Sequence, residues 1–310
     1  MKNFIKRIIL FICFLSFFYT TCLFLWGLLF PPTITKNLNY RLGLVGHLNR
    51  RIQELIAFRD VDVLFLGSSH TYRGFDPRFF IKYGIKSFNL GSSSQTPIQT
   101  EILLKRYLNS LNPELVVYEV YPRSLSIDGA ESALDLIAND KMDFLTIKMA
   151  LDLNNIKVYN TLIFGIFRKL LNLDSDFVEP IQKLKDTYVK GGFVEKENSF
   201  FKANETLSKK KWEFVTYQKE AFERILKKFK KLKINVILVQ APITKEFYDS
   251  YSNNLEIDSY FKSLADYYNF NEILKLPSTR YFYDSHHLNQ DGVEIFNKSL
   301  LNIFKNNNYF

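Results

Sequence analysis

Cysteine is nearly missing from this chain, and its placement is as telling as its scarcity. The two residues, Cys13 and Cys22, share one apolar stretch near the N-terminus. The rest of the chain has no thiol for a disulfide or a thiolate metal site. Histidine numbers only four, which leaves little for a histidine-rich metal centre. No internal repeat is visible. Wholesale disorder is excluded by an apolar content of 47%. A surplus of acidic groups is also lacking, since the formal charge is +9. Lys227, Lys228, Lys230 and Lys231 form the polar side of an amphipathic helix. The charge is therefore read as solvated helix faces and not as a nucleic-acid footprint. Contact of that helix with anionic lipid headgroups is the alternative.

Charge is absent from Ile8 to Phe30 as well. A helix of that length crosses a hydrocarbon core of about 30 Å. Lys2, Lys6 and Arg7 flank its start, Trp26 lies toward its far end, and Pro31-Pro32 stop it. The basic flank predicts a cytoplasmic N-terminus and an extracytoplasmic main domain. A cleaved signal peptide would have an apolar region of about 7–15 residues and small residues at its end. Leu28-Leu29-Phe30 does not fit that cleavage pattern, and Cys22 lies too deep in the run for lipoprotein processing. The reading is an uncleaved single-pass anchor over 1–32.

A connector over 33–60 follows, with an amphipathic helix expected from Leu48 to Phe58. Beyond it, strands and helices alternate. Strands are expected at Val61–Leu66, Ser87–Leu90, Leu115–Val120 and Ile234–Val239. Helices are expected at Thr100–Asn109, Tyr217–Lys231, Ser259–Tyr268 and Gln290–Phe304. Arg280–Tyr283 reads as a short extended stretch. The alternation fails over 124–216, where Asp140–Leu151 and Ile163–Leu173 look helical and 190–204, with Gly191-Gly192, looks like a loop. This region is expected to be a mainly helical insertion or lid. The pattern predicts an α/β domain over 61–310, a three-layer α/β/α sandwich around a mainly parallel sheet. In such sheets reactive groups sit beyond the carboxyl ends of the strands. Ser69, Gly91, Tyr121 and Gln240 all follow expected strands.

Two short motifs carry the chemistry. Val63-Leu64-Phe65-Leu66 runs into Gly67-Ser68-Ser69-His70, a buried strand whose turn presents a serine. Asp284-Ser285-His286-His287-Leu288-Asn289, followed by Gly292, sets an acid three residues before a histidine. Ser69, His287 and Asp284 thus supply a nucleophile, a base and a group to orient the base. Simpler roles stand beside these. Ser69 also suits a turn or helix cap, and Asn289 a helix cap. Asp284 with His286 and His287 offers metal-ligand atoms. His70, Arg73, Tyr121, Arg123 and His286 are candidates for substrate contact or for support of the triad, and Arg73 with Asp76 for a structural pair.

From Val61 to Phe304 the chain resembles the SGNH/GDSL hydrolase superfamily. Leu66-Gly67-Ser68-Ser69 stands where that superfamily has Gly-Asp-Ser after a strand. Asn89-Leu90-Gly91 matches its second block, and Asp284 to Asn289 with Gly292 its last. Two positions depart from the pattern. Ser68 replaces the first-block aspartate, and Glu119-Val120-Tyr121-Pro122-Arg123 occupies the place of Gly-x-Asn-Asp. The resemblance implies an acyl-Ser69 intermediate with no cofactor and no metal. It leaves the backbone N–H groups of Ser69 and Gly91 as oxyanion donors, without the usual asparagine. The Gly-Ser-Ser form on a membrane anchor is similar to envelope acyl-transfer proteins, such as the D-alanyl-lipoteichoic acid transfer protein and anchored exopolysaccharide acetyltransferases. That branch implies an acyl donor, a glycan or polymer acceptor, and a membrane-bound O-acyltransferase as partner. The altered third block keeps a noncatalytic binding or scaffold subunit open.

Overall fold

The computed structural model describes residues 1–202 and 207–310. At its centre lie five parallel strands: β1 (Val63–Leu66), β2 (Ser87–Asn89), β3 (Leu115–Glu119), β7 (Asn235–Gln240) and β8 (Asp266–Asn269). Their order is β2-β1-β3-β7-β8. Between β3 and β7 the chain adds a small antiparallel sheet of β4 (Gln182–Lys183), β5 (Asp186–Val189) and β6 (Phe193–Lys196).

β1 is buried along its whole length, and its pleat divides it between two cores. Leu64 and Leu66 pack with Phe88, Val116, Tyr118 and Leu238 beneath helices Leu48–Ala57, Pro97–Leu111 and Thr216–Leu232. Val63 and Phe65 pack with Leu115, Val117 and Ile237 beneath helix Gln290–Asn306. The result is the expected three-layer α/β/α sandwich. A run apolar at every position, rather than at alternate ones, is what two covered faces require.

Several details differ from expectation. Ser259–Tyr268 is not one helix: the helix is Asn254–Lys262, and Asp266–Asn269 is the edge strand β8. Arg280–Tyr283 is extended only in part, because Ser278–Tyr281 forms a single helical turn and Phe282 follows it as an extended residue bridged to Leu288. The loop expected over 190–204 contains β6. Gly191 and Gly192, both at positive φ, make the turn of a β5–β6 hairpin, while residues 203 and 204 lie outside the described residues. The insertion is therefore only partly helical. The helical part of the connector belongs to the domain core, since Leu48, Ile52 and Leu55 are fully buried in it.

Ion pairs attach the insertion, the one with Asp140 buried and the one with Asp143 partly open to solvent. Arg106, on helix Pro97–Leu111, donates to Asp140 at 2.5 Å and to Asp143 at 2.5 Å. Tyr107 also donates to Asp140. Helix Ile156–Leu170 lies along the N-terminal helix Lys2–Leu29. That helix is otherwise mostly uncovered, and it is long and apolar enough to cross a membrane.

The parallel arrangement brings the carboxyl ends of all five central strands to one edge of the sheet. The chain leaves β1 toward β2 on one side, while β3, β7 and β8 extend to the other. The gap between β1 and β3 is the point where strand order reverses, the usual ligand position in open α/β sheets.

Candidate active site

Ser69 leaves β1 through a turn that only glycine permits. Gly67 has φ +138°, and a Cβ there would lie 2.4 Å from Thr71 Oγ1 and 2.8 Å from the Glu119 carbonyl oxygen. Thr71 Oγ1 donates back to the Leu66 carbonyl at 3.0 Å, which holds the turn against the strand end. Ser69 is then the first residue of the short helix Ser69–Gly74. Gly91, just beyond β2, backs onto this turn, and a Cβ there would lie 2.7 Å from the Ser68 carbonyl oxygen.

The acid and base come from one tight loop. Asp284 Oδ1 accepts the backbone N–H of His286 at 2.9 Å and of His287 at 2.7 Å. Its Oδ2 accepts from His287 Nδ1 at 2.8 Å. With Nδ1 donating, Nε2 is left as an acceptor, and Ser69 Oγ lies 2.8 Å from it. Burial raises the Asp284 pKa, but the His287 hydrogen bond and the nearby imidazoles outweigh it, so the carboxyl ionises well below the usual range. Asp284 is therefore a carboxylate at any physiological pH. The loop is fixed from both sides: Tyr283 N–H donates to the His287 carbonyl at 3.1 Å, and Asn289 caps helix Gln290–Asn306 at the Gly292 N–H, 3.1 Å away.

The other candidates have different placements. His70 is buried beside the triad, with its ring 4.9 Å from that of His287. Its Nε2 donates to the His286 carbonyl at 2.6 Å, so it ties the serine turn to the histidine loop. Burial, with His287 and His286 nearby, lowers its pKa well below the ordinary value. His286 is held at about 4 by burial and by His287, so it too is neutral at pH 7. Both terminal nitrogens of Arg73 donate to Asp186 of β5, at 3.1 and 2.8 Å. Arg73 does not pair with Asp76, which accepts from Arg78. Tyr121 is buried between His70, at 4.2 Å, and Trp212, at 5.7 Å between ring centres. Trp212 in turn stacks on Tyr251 at 3.5 Å. Arg123 is exposed.

One residue escaped sequence reasoning. Glu119, the last residue of β3, is 1% exposed and lies directly behind the serine turn. Neither carboxyl oxygen has a hydrogen-bond partner of good geometry among the described residues. Burial pushes its pKa up to about 8, against the opposing pull of the Ala241, Ser68 and Tyr121 backbone N–H groups. The available signal was a charge closing an otherwise apolar strand.

Asp284, His286 and His287 bring their donor atoms within 4.8 Å of one another, a spacing that suits a metal ion. Both ring nitrogens of His287 are already engaged, with Asp284 and Ser69. A metal there would have to displace one of those hydrogen bonds. Room beside the triad is small. The cleft bounded by His70, Arg73, Gly74, Ala241, Pro242, His287 and Leu288 holds about 10 Å³. A cleft of about 390 Å³ opens next to it, beyond Pro242, between Ile243 and Ser278.

No protein-family model matches the chain, and no curated protein matches it by sequence. Among solved structures it is similar to a proposed acylhydrolase from Bacteroides fragilis, at 13% identity and a TM-score of 0.43, over 85% of this chain and 98% of that one. It is also similar to a GDSL-like lipase from Bacteroides thetaiotaomicron, at 14% identity and a TM-score of 0.43, over 84% of this chain and 98% of that one.

Proposed function

We propose that this protein is a membrane-anchored serine esterase or O-acyltransferase of the cell envelope, working through an acyl-Ser69 intermediate. One observation carries the reading: the unbroken line from Ser69 Oγ through His287 to Asp284, with 2.8 Å at each link. A serine placed only as a turn residue has no need of an oriented base with its own carboxylate.

The chemistry follows from that line. His287 Nε2 takes the Ser69 proton as Oγ attacks the acyl carbonyl carbon. The carbonyl electron pair moves to oxygen, facing the N–H groups of Ser69 and Gly91. Collapse of this intermediate breaks the bond to the leaving group, which departs with the proton from His287. Water or an acceptor hydroxyl then attacks the Ser69 ester in the same way, giving hydrolysis or transfer. With no third-block asparagine, the oxyanion has one donor fewer, a deficit of about 100- to 1,000-fold where such donors have been removed. The acceptor in this reading is an envelope glycan or polymer, and a membrane-bound O-acyltransferase supplies the acyl group. The basic tip of the anchor faces the cytoplasm and the α/β domain faces outward.

The full chain in detergent, treated with a fluorophosphonate, should be labelled at Ser69. Ser69→Ala and His287→Ala should both abolish labelling. A noncatalytic scaffold subunit is the second reading, supported by Glu119 in place of the third block and by the narrow cleft at the triad. It requires that the folded wild type remain unlabelled.

A further inference from the structure

We propose that the mouth of the Ser69 site is a track for an acidic polymer, so that the acceptor hydroxyl belongs to a chain carrying carboxylate or phosphate groups. This rests on the acyl-Ser69 reading and names the acceptor class that the reading leaves open.

Two stretches of chain bring cations to the mouth. Arg123 follows β3 by four residues, at the carboxyl edge of the sheet, and is exposed. Its charge acts on Tyr121, Tyr251 and His286 together, which places it among the rings beside the triad. Lys209, Lys210 and Lys211 reach the same edge on the segment that leads into helix Thr216–Leu232. The Lys210 N–H donates to the Ser250 carbonyl at 2.8 Å, and its own carbonyl accepts from the Ser252 N–H at 3.0 Å. The Trp212 N–H donates to Asn253 Oδ1 at 2.9 Å, and the Trp212 ring stacks on Tyr251. Phe247 lies 5.6 Å from Tyr251 and 5.9 Å from His286 between ring centres. The lysines are therefore two ring contacts away from the loop that holds the base. Thr244 fastens the two regions together, because its N–H donates to the Ser285 carbonyl at 3.1 Å.

These cations lack protein counter-charges. Among the described residues none of the four has a carboxylate oxygen within 4.0 Å. Lys209 donates only to a backbone carbonyl, that of Asp249, at 2.7 Å. Nearby acids are already engaged: Asp249 by Lys245, Asp284 by the two histidines and Glu246 by Ser278. Glu213 is the single acid on the lysine segment, so positive charge prevails. All three lysines are exposed, and side chains spread along a rim suit an extended polyanion better than a single ion. Between them and the triad run the half-buried rings of Tyr251, Phe247 and His286, a wall along which a chain can lie.

The test has two arms, both on the full chain in detergent. In the first, Ser69→Ala protein is titrated against fluorescein-labelled polygalacturonate, poly(glycerol phosphate) and dextran, with binding read by anisotropy. One or both acidic polymers should bind at least about tenfold more tightly than neutral dextran, with affinity falling as salt is raised. The tighter of the two identifies the acid. In the same background, Arg123→Glu and the double variant Lys210→Glu, Lys211→Glu should each weaken that binding by about tenfold, and Arg123→Gln by less. Lys227→Glu with Lys230→Glu makes an equal charge change beside Asn235, at the opposite edge of the sheet, and should weaken it by less than about twofold. In the second arm, saturating acidic polymer should slow fluorophosphonate labelling of Ser69 in the wild type, and dextran should not. Equal affinity for dextran, or equal losses in the rim and control variants, overturns the acidic track and leaves the acyl-Ser69 reading standing. Binding that leaves the labelling rate unchanged also overturns it, because the polymer is then not at the serine. A folded wild type that is never labelled removes the acceptor assignment together with the catalytic reading.

Discussion

The serine edge of the sheet and the insertion behind it are built on opposite plans. At the edge, short hydrogen bonds between near neighbours fix the acid–base loop: Asp284 alone holds two backbone N–H groups and one imidazole within four residues. In the insertion, side chains far apart in sequence do the holding, as where Arg106 reaches Asp140 and Asp143, and Arg73 reaches Asp186. Local bonding gives a site that a motif can encode. Distant ion pairing gives a structure whose partners are invisible until the chain is folded.

The sharpest way to break this contrast is Asp284→Asn. It keeps the shape of the loop but can reverse the tautomer of His287, so the fluorophosphonate labelling rate should fall by about 10⁴-fold, with thermal stability changed far less. A mild effect would mean that the loop's backbone, not its charge, orients the base. Glu119→Gln comes next. A carboxyl whose pKa rises to about 8 in the folded state is taken up neutral. Its contribution to stability is fully present below its unfolded pKa, near 4.3, and is lost as pH rises through about 8. Urea unfolding of the wild type should therefore show stability falling over that window, by up to a few kcal/mol, and Glu119→Gln should flatten that fall. An unchanged slope would show that Glu119 ionises normally.

Asp186→Asn tests the insertion's hold on the serine turn. It leaves Arg73 without its partner in a largely buried place and should cost about 1–3 kcal/mol in urea unfolding. If labelling of Ser69 slows in proportion, the hairpin positions the site as well as stabilising the fold. The smallest effect is expected at Lys148→Ala, which breaks an exposed pair with Asp152 and should change stability by no more than about 0.5 kcal/mol.

How much could be read beforehand follows the same division. β1, β3 and β7 were legible because burial on both faces demands unbroken apolar runs. The pairing of Asp284 with His287 was legible because the two share one turn. β8 was not: Asp266-Tyr267-Tyr268-Asn269 is an edge strand, paired on one side only, and its tyrosines resemble a helix face. The β5–β6 hairpin was missed because its strands are short and charged, and its glycines looked like a loop. The partner of Arg73 was not legible, because Asp186, more than a hundred positions away, carries no mark in the sequence of being that partner.

The separations within the triad also bear on how the chain folds. Acid and base are three positions apart, but the serine is 218 positions from the histidine it meets. The Asp284 loop can form early at little entropic cost, whereas the serine arrives only when nearly the whole domain has closed. Under the proposed function, nucleophilicity at Ser69 is therefore a late property in refolding. A fluorophosphonate added at intervals after dilution from denaturant would time the completion of the topology itself, after helix content has already returned.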